Sequence, residues 1–334
     1  MKPEPERFAG ALLGQCLGDA LGFVVEGESP EVCGDYVRRF LRAGRAGEIG
    51  RGGFPFGQYT DDSQLARELL QSYVDCRGFC PSDYARRIAA IFAEDRIVGR
   101  GRATEEAASR LLRGVPWHDA GTPAPSAGNG SAMRAGPVGL MFWNDPMALV
   151  DTARRQGEIT HRDPRCSAGA IAIAGAVAVA LRGGAIHAAS FAGEIATWAT
   201  EADGTVAAGI RRLPGWLRMP PDEAAPEIAA VGKDFNDGWP GVSPFVTGSV
   251  LWSLYAFLRS PDDPWETLCT AIAVGGDVDT TAAMAGAIAG ARCGATALPA
   301  ALVASLNDRG TWGRDDLDGL ARAAWALAVT RGAP

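Results

Sequence analysis

Basic runs, paired metal-binding cysteines and long apolar stretches are all missing from this chain, and each absence removes a class of function. Its 32 Lys and Arg residues are scattered among 39 Asp and Glu, for a net charge of −7 and a pI near 5.1. Nucleic acid is not expected as the main partner, because phosphate binding needs clustered cations. The seven cysteines, Cys16, Cys33, Cys76, Cys80, Cys166, Cys269 and Cys293, are odd in number and sit mostly in apolar helical contexts. They read as reduced thiols, which fits a cytoplasmic protein. Cys76 and Cys80 lack the second Cys or His pair that a zinc site requires, and there are only three histidines, His118, His161 and His187.

The longest uncharged stretch, 166–181, has 16 residues rich in Ala and Gly. It is too short and too weakly apolar for a membrane span and reads as a buried core helix. At the N-terminus Glu4 and Glu6 follow Lys2, and Asp19 interrupts the apolar run from Phe8, so no cleaved signal is expected. Convincing strands, repeats and flexible linkers are also lacking. What remains is a soluble all-α chain, expected to form one compact helical domain over 1–334 and to be a monomer.

Helical periodicity is plentiful. Residues 7–21 carry Phe8, Leu12, Leu13, Leu17 and Leu21, with Gly10, Gly14, Gly18 and Gly22 spaced by four, so one face of this helix is bare and a second helix can approach it. Further helices are expected at about 62–76, 82–95, 103–113, 132–142, 145–157, 165–181, 186–202, 205–212, 245–258, 263–274, 280–293, 297–305 and 314–330. The segments 51–57 and 121–128, and the proline-rich 214–226, have loop composition.

Two of these helices begin with acids. Asp277-Val278-Asp279-Thr280 follows Gly275-Gly276 and opens a helix of Ala, Gly, Ile and Met, while Thr60-Asp61-Asp62-Ser63 opens a helix with Leu65, Leu69 and Leu70 on one face. Each alone is an ordinary N-cap, since Asp, Ser and Thr are preferred there. Together they supply four carboxylates and several hydroxyls, an all-oxygen set suited to Mg²⁺ or Mn²⁺.

These motifs resemble those of the ADP-ribosylglycohydrolase family. The likeness extends to Gly18-Asp19-Ala20-Leu21-Gly22 with Glu26 beyond it, to Gly128-Asn129-Gly130-Ser131-Ala132-Met133-Arg134, and to Thr160-His161, in the family's order from about Gly10 to Gly294. The resemblance implies a helical bundle around a cleft holding two Mg²⁺, with Mn²⁺ as the alternative. Thr60, Asp61, Asp62, Asp277, Asp279 and Thr280 would be the ligands, with Asp279 bridging the ions. Glu26, Asp61 and Asp279 would serve catalysis. Gly128, Asn129, Gly130, Ser131, Met133 and His161 would contact ribose and phosphates. The implied activity is removal of ADP-ribose from a modified protein side chain, arginine ahead of serine, or from a small ADP-ribose conjugate. A non-catalytic ADP-ribose binder, a crystallin-like relative or an ADP-ribosyltransferase inhibitor is the alternative.

Ser63 and Val278 stand where the family commonly has threonine. Where arginine-directed members carry an acid before glycine, this chain has Gly99-Arg100-Gly101, with Asp95 as its nearest acid. For adenine stacking, Trp117, Phe235 and Trp239 are all candidates.

Overall fold

A computed structural model describes residues 2–331, which form helices with no strand beyond isolated β-bridges among the described residues. In order they are α1 Pro5–Phe23, α2 Pro30–Tyr36, α3 Asp61–Cys76, α4 Pro81–Ala93, α5 Arg102–Leu112, α6 Trp117–Ala120, α7 Gly136–Met141 and α8 Pro146–Glu158. Then follow α9 Pro164–Arg182, α10 Ala188–Ala199, α11 Gly204–Trp216, α12 Pro221–Ala229, α13 Val246–Arg259, α14 Pro264–Ile272, α15 Val278–Cys293, α16 Ala300–Val303 and α17 Arg314–Arg331. The all-α expectation holds.

Local chemistry explains most boundaries. Proline occupies the first turn of α1, α2, α4, α8, α9, α12 and α14, where its missing N–H costs nothing. Asp145, Asp163, Asp203 and Asp263 cap α8, α9, α11 and α14 through their side chains. Two expectations fail in the proline-rich stretch: α11 continues through Pro214 to Trp216, and Pro221 starts α12. Another helix, α2, begins at Pro30 behind the Ser29 cap. The segments expected as helices at 132–142 and 297–305 shrink to α7 and α16, each beside short 3₁₀ turns.

The centre of the molecule is the crossing of α1 and α15. A Cβ placed on Gly10, Gly14 or Gly18 would lie 2.4, 2.4 or 2.1 Å from the carbonyl oxygens of Gly290, Gly286 and Ala282, so the backbones touch over three successive turns. At that separation the end of α1 and the start of α15 meet. Helices α9 and α13 pack beside this pair; α9 is apolar enough to span a membrane, yet 83% of it is buried inside the protein. All seven cysteines are free, with Cys16, Cys33, Cys166 and Cys269 in the core and Cys76 exposed.

Candidate active site

The two acidic turns line a cleft of about 630 Å³. Each is held by backbone pairing that its own sequence does not reveal. Val242 bridges to Gly276: its N–H donates to the Gly275 carbonyl, and its carbonyl accepts from Asp277 N–H at 2.8 Å. Gly275 and Gly276 sit at φ +74° and +87°, where a Cβ would strike Ser29–Pro30 and Val242, so glycine is required at both.

The start of α3 is pinned by Asp19, a carboxylate that has no exposure at all. It accepts from Thr60 N–H at 2.9 Å, from the Thr60 hydroxyl at 2.9 Å and from Ser63 N–H at 3.0 Å, so α1 supplies a cap for α3. Gln15, one turn earlier, donates to the carbonyls of Asp62 and Met133. Sequence reading assigned neither a role. The signal was present, since an acid within an apolar glycine-faced helix is seldom buried without a partner.

Asp61, Asp62, Asp277 and Asp279 thus converge with Asp19 and Glu26. Carboxylate oxygens of Asp19, Asp62 and Asp279 lie within 4.8 Å of one another, as do those of Glu26, Asp277 and Asp279. Burial is the first cause of their electrostatics: Asp19, Asp61 and Asp277 are pushed up to about 7 and Asp62 and Asp279 are also raised, with repulsion from neighbouring carboxylates adding to it at Asp61, Asp62, Asp277 and Asp279. Glu26 is raised by burial, with Arg51 opposing from 3.6 Å.

Asp62 Oδ1 is buried without a hydrogen-bond partner. An orphaned carboxylate oxygen inside an all-oxygen cluster is the expected mark of a hard divalent cation, so the residues present fit one. Thr60 and Thr280 are already tied to this cluster: the Thr280 hydroxyl donates to Asp277 at 3.3 Å, and the Thr60 hydroxyl, which donates to Asp19, lies 3.1 Å from an Asp62 oxygen.

The glycine-rich loop forms the next part of the cleft. Asn129 donates its amide to Asp277 at 2.6 Å, linking loop and acids, and Gly128 bridges to Phe245. His161 stands behind Gly130, where a Cβ would come within 2.7 Å of its ring. Arg134 donates to the Thr160 hydroxyl at 2.7 Å, and that hydroxyl lies 2.7 Å from His161 Nδ1, while Nε2 of the same ring lies toward Gly128 and Gly130. Burial and Arg134 push the imidazole down to about 3, so it is a neutral donor and no proton acceptor at neutral pH.

Gly128, Asn129, Gly130, Met133 and His161 all line the cleft. Ser131 does not. Its side chain is fully buried and its hydroxyl donates to the Cys166 carbonyl at 3.0 Å, so it supports the loop instead of facing a ligand. Gly99 to Thr104, the stretch that stands where arginine-directed members carry an acid, also line the cleft. Of the three aromatic candidates, Phe235 and Trp239 line it, whereas Trp117 packs against His118 and under Arg155 outside it.

With this geometry in place, comparison with known proteins is decisive. The family model described as ADP-ribosylglycohydrolase matches residues 1–334. The chain belongs to the ADP-ribosylglycohydrolase family. Among its relatives, the chain is 32% identical to ADP-ribosylhydrolase ARH3 of Gallus gallus, over 89% of this chain and 88% of that protein. It is 25% identical to the ADP-ribosyl-[dinitrogen reductase] glycohydrolase of Rhodospirillum rubrum, over 90% of each. A solved structure, an ADP-ribosylglycohydrolase-related protein complex, superposes with a TM-score of 0.72 at 29% identity, covering 98% of this chain and all of that one.

Against the family's usual pattern, Val278 is fully buried among apolar core residues, so its site is one that valine satisfies. Ser63 offers its backbone N–H to Asp19. Asp95 is 81% exposed and ion-paired with Arg100, outside the cleft lining.

Proposed function

We propose that this member of the ADP-ribosylglycohydrolase family is a metal-dependent hydrolase that releases ADP-ribose from a modified protein side chain. The observation that carries the reading is the convergence of two acid-bearing helix starts, one with an orphaned carboxylate oxygen, in a cleft that the glycine loop also lines. Thr60, Asp61, Asp62, Asp277, Asp279 and Thr280 would hold two Mg²⁺, or Mn²⁺ in their place. When bound, the ions would act as Lewis acids toward the ribose hydroxyls and offset the crowded carboxylates.

The chain's own groups then divide the work. The backbone of Gly128–Gly130 lines the cleft, so a pyrophosphate can approach it without side-chain obstruction, and the neutral His161 ring stands beside it. Asn129 keeps that loop in register with Asp277. Glu26 is the one carboxylate of the six that is only partly buried, with 29% of its side chain exposed. It sits just past the end of α1 and, with its carboxyl raised, can hold a proton for the leaving group as the C1″ bond opens through an oxocarbenium-like transition state, or take one from water. Asp61 and Asp279 orient the sugar.

Among acceptors we keep arginine ahead of serine; Asp95 and Glu105, both ion-paired with Arg100, are not free to read a guanidinium, whereas the Asp61 carboxylate stands beside Gly99 and Gly101 in the cleft.

The test is ADP-ribose release from arginine-linked and serine-linked substrates with Mg²⁺ and with chelator. Metal-dependent release from either linkage supports the hydrolase and identifies its acceptor. Binding of ADP-ribose without release from any conjugate would transfer the site to the non-catalytic reading.

A further inference from the structure

We propose that a second cavity, behind the turn that carries Asp277, binds a small amphipathic anion, and that its occupant steadies that turn. The cavity measures about 740 Å³, more than the 630 Å³ of the active cleft and within the range of about 300–1,000 Å³ that small ligands fill. The two share no lining residue. Val242, Trp252 and Val274 line the second cavity and are themselves buried, so its floor is apolar.

Charge sets the class of ligand. Arg38, Arg42 and Arg259 stand in the lining against Asp222 and Glu266, an excess of one positive charge. Arg42 is ion-paired with Glu266, and Arg38 with Asp35 outside the lining. Arg259 donates to the Met219 carbonyl and the Tyr255 hydroxyl and forms no ion pair among the described residues, which leaves its charge for a ligand anion. Asp222 lies in the first turn of α12, where the helix N-terminus already offsets its charge. Arg38 itself sits in a π-helical turn, Val37–Leu41, closed by Arg42 N–H donating to the Val37 carbonyl five residues back. Such turns are rare and occur frequently at functional sites.

The floor of this cavity is also the back of the acid-bearing turn. Val242 accepts from Asp277 N–H at 2.8 Å and donates to the Gly275 carbonyl at 3.0 Å, and Val274 leads directly into Gly275. Pro30, another lining residue, presses on the same turn, since a Cβ on Gly275 would lie 2.5 Å from its nitrogen. A ligand seated on Val242 and Val274 therefore bears on the backbone that aims Asp277 into the active cleft without entering that cleft. By filling the space into which Val242 would retreat, it favours the state in which Asp277 N–H stays bonded.

The test titrates the full chain, in chelator, with the fluorescent anion anilinonaphthalene sulfonate and with its neutral counterpart phenylnaphthylamine. Wild type is compared with Arg259→Gln, a change at an exposed position, and with Ala225→Trp, which places an indole in the cavity. Wild type should bind the sulfonate at a single saturable site from which ADP-ribose does not displace it. Arg259→Gln should lose about tenfold for the sulfonate and nothing for the neutral dye, and Ala225→Trp about tenfold or more for both. Bound sulfonate should slow hydrogen exchange at the Asp277 amide about fivefold and tighten Mg²⁺ binding by a similar factor. Displacement by ADP-ribose, equal sulfonate affinity in all three proteins, or unchanged exchange at Asp277 would overturn the proposal. Only the Mg²⁺ readout rests on the metal reading above: slowed exchange in a chain that binds no Mg²⁺ would support the second site and overturn that reading.

Discussion

Gly14→Ala isolates the packing that holds the site together. A methyl group there would start 2.4 Å from the Gly286 carbonyl oxygen, and must reach at least 3.0 Å, the limit for real Cβ contacts. The opposing atom is backbone, so α1 and α15 have to separate by roughly 0.6 Å where they are closest, since well-packed interiors cannot absorb the shift locally. Overpacking of this kind costs about 1–3 kcal/mol. Alanine recovers about 1 kcal/mol as the better helix former, leaving a net loss of up to about 2 kcal/mol. Gly193, within α10, has nothing within 4 Å of the same added methyl. Gly193→Ala should therefore stabilise by about 1 kcal/mol. At an unfolding entropy of about 0.7 kcal/mol/K for a chain of this length, thermal unfolding should separate the two variants by about 1–4 °C, with wild type between them. If Gly14→Ala melts at or above wild type, the backbone contact between α1 and α15 is not what fixes their distance.

Three further outcomes follow from the site. Asp279→Asn removes a charge raised by burial and by Glu26, Asp62 and Asp277; the chelated variant should melt above chelated wild type, gain no stability from Mg²⁺ and lose at least about a hundredfold in turnover. In the metal-free protein Asp19, Asp61 and Asp277 titrate near 7 when folded and near 3.8 when unfolded. The folded state then holds the extra protons, so the melting temperature in chelator should fall as pH rises from about 4 through 7, and Mg²⁺ should restore more stability at pH 8 than at pH 5; a flat profile would contradict the cluster. Gly130→Ala pushes a methyl to 2.7 Å from the buried His161 ring, and should raise KM for an ADP-ribosylated substrate about tenfold or more while costing about 1–3 kcal/mol in stability.

The helical class was legible because a period of 3.6 survives in nearly every segment, and the bare face of α1 announced a close neighbour. It could not announce which one. That Gly10, Gly14 and Gly18 meet Gly290, Gly286 and Ala282 depends on contacts some 270 residues apart. The two acidic turns were visible as residue types, and their meeting was implied only by family likeness, since nothing local to Asp61 specifies Asp279. Asp19 was quoted within a motif and given no role, because its task, capping a helix 41 residues away, is tertiary. Ser131 shows the opposite error: a hydroxyl in a glycine-rich run looks available from sequence, yet the fold spends it on Cys166. Helix α12 was lost to a prior about proline that fails when proline occupies a first turn, as Pro221 does.

Charge balance bears on how many ions the cleft takes. Six carboxylates gather there, those of Asp19, Glu26, Asp61, Asp62, Asp277 and Asp279. Against them the chain sets Arg51 on Glu26, and buried Arg134, whose field reaches Asp61. The starts of α3 and α15 each add roughly half a positive charge, leaving an excess of about three to four negative charges. Without metal, protons fill this gap, since burial raises these carboxyls and repulsion among them adds to it. One divalent ion would leave one or two buried charges unpaired, each costing several kcal/mol, whereas two ions cover the excess. Calorimetric titration of the chelator-stripped protein with Mg²⁺ at pH 6 should therefore reach two ions per chain. It should also release protons, seen as a heat that varies with the ionisation enthalpy of the buffer. Saturation at one ion with no buffer dependence would mean that the carboxylates keep their protons and that the two-ion account is wrong.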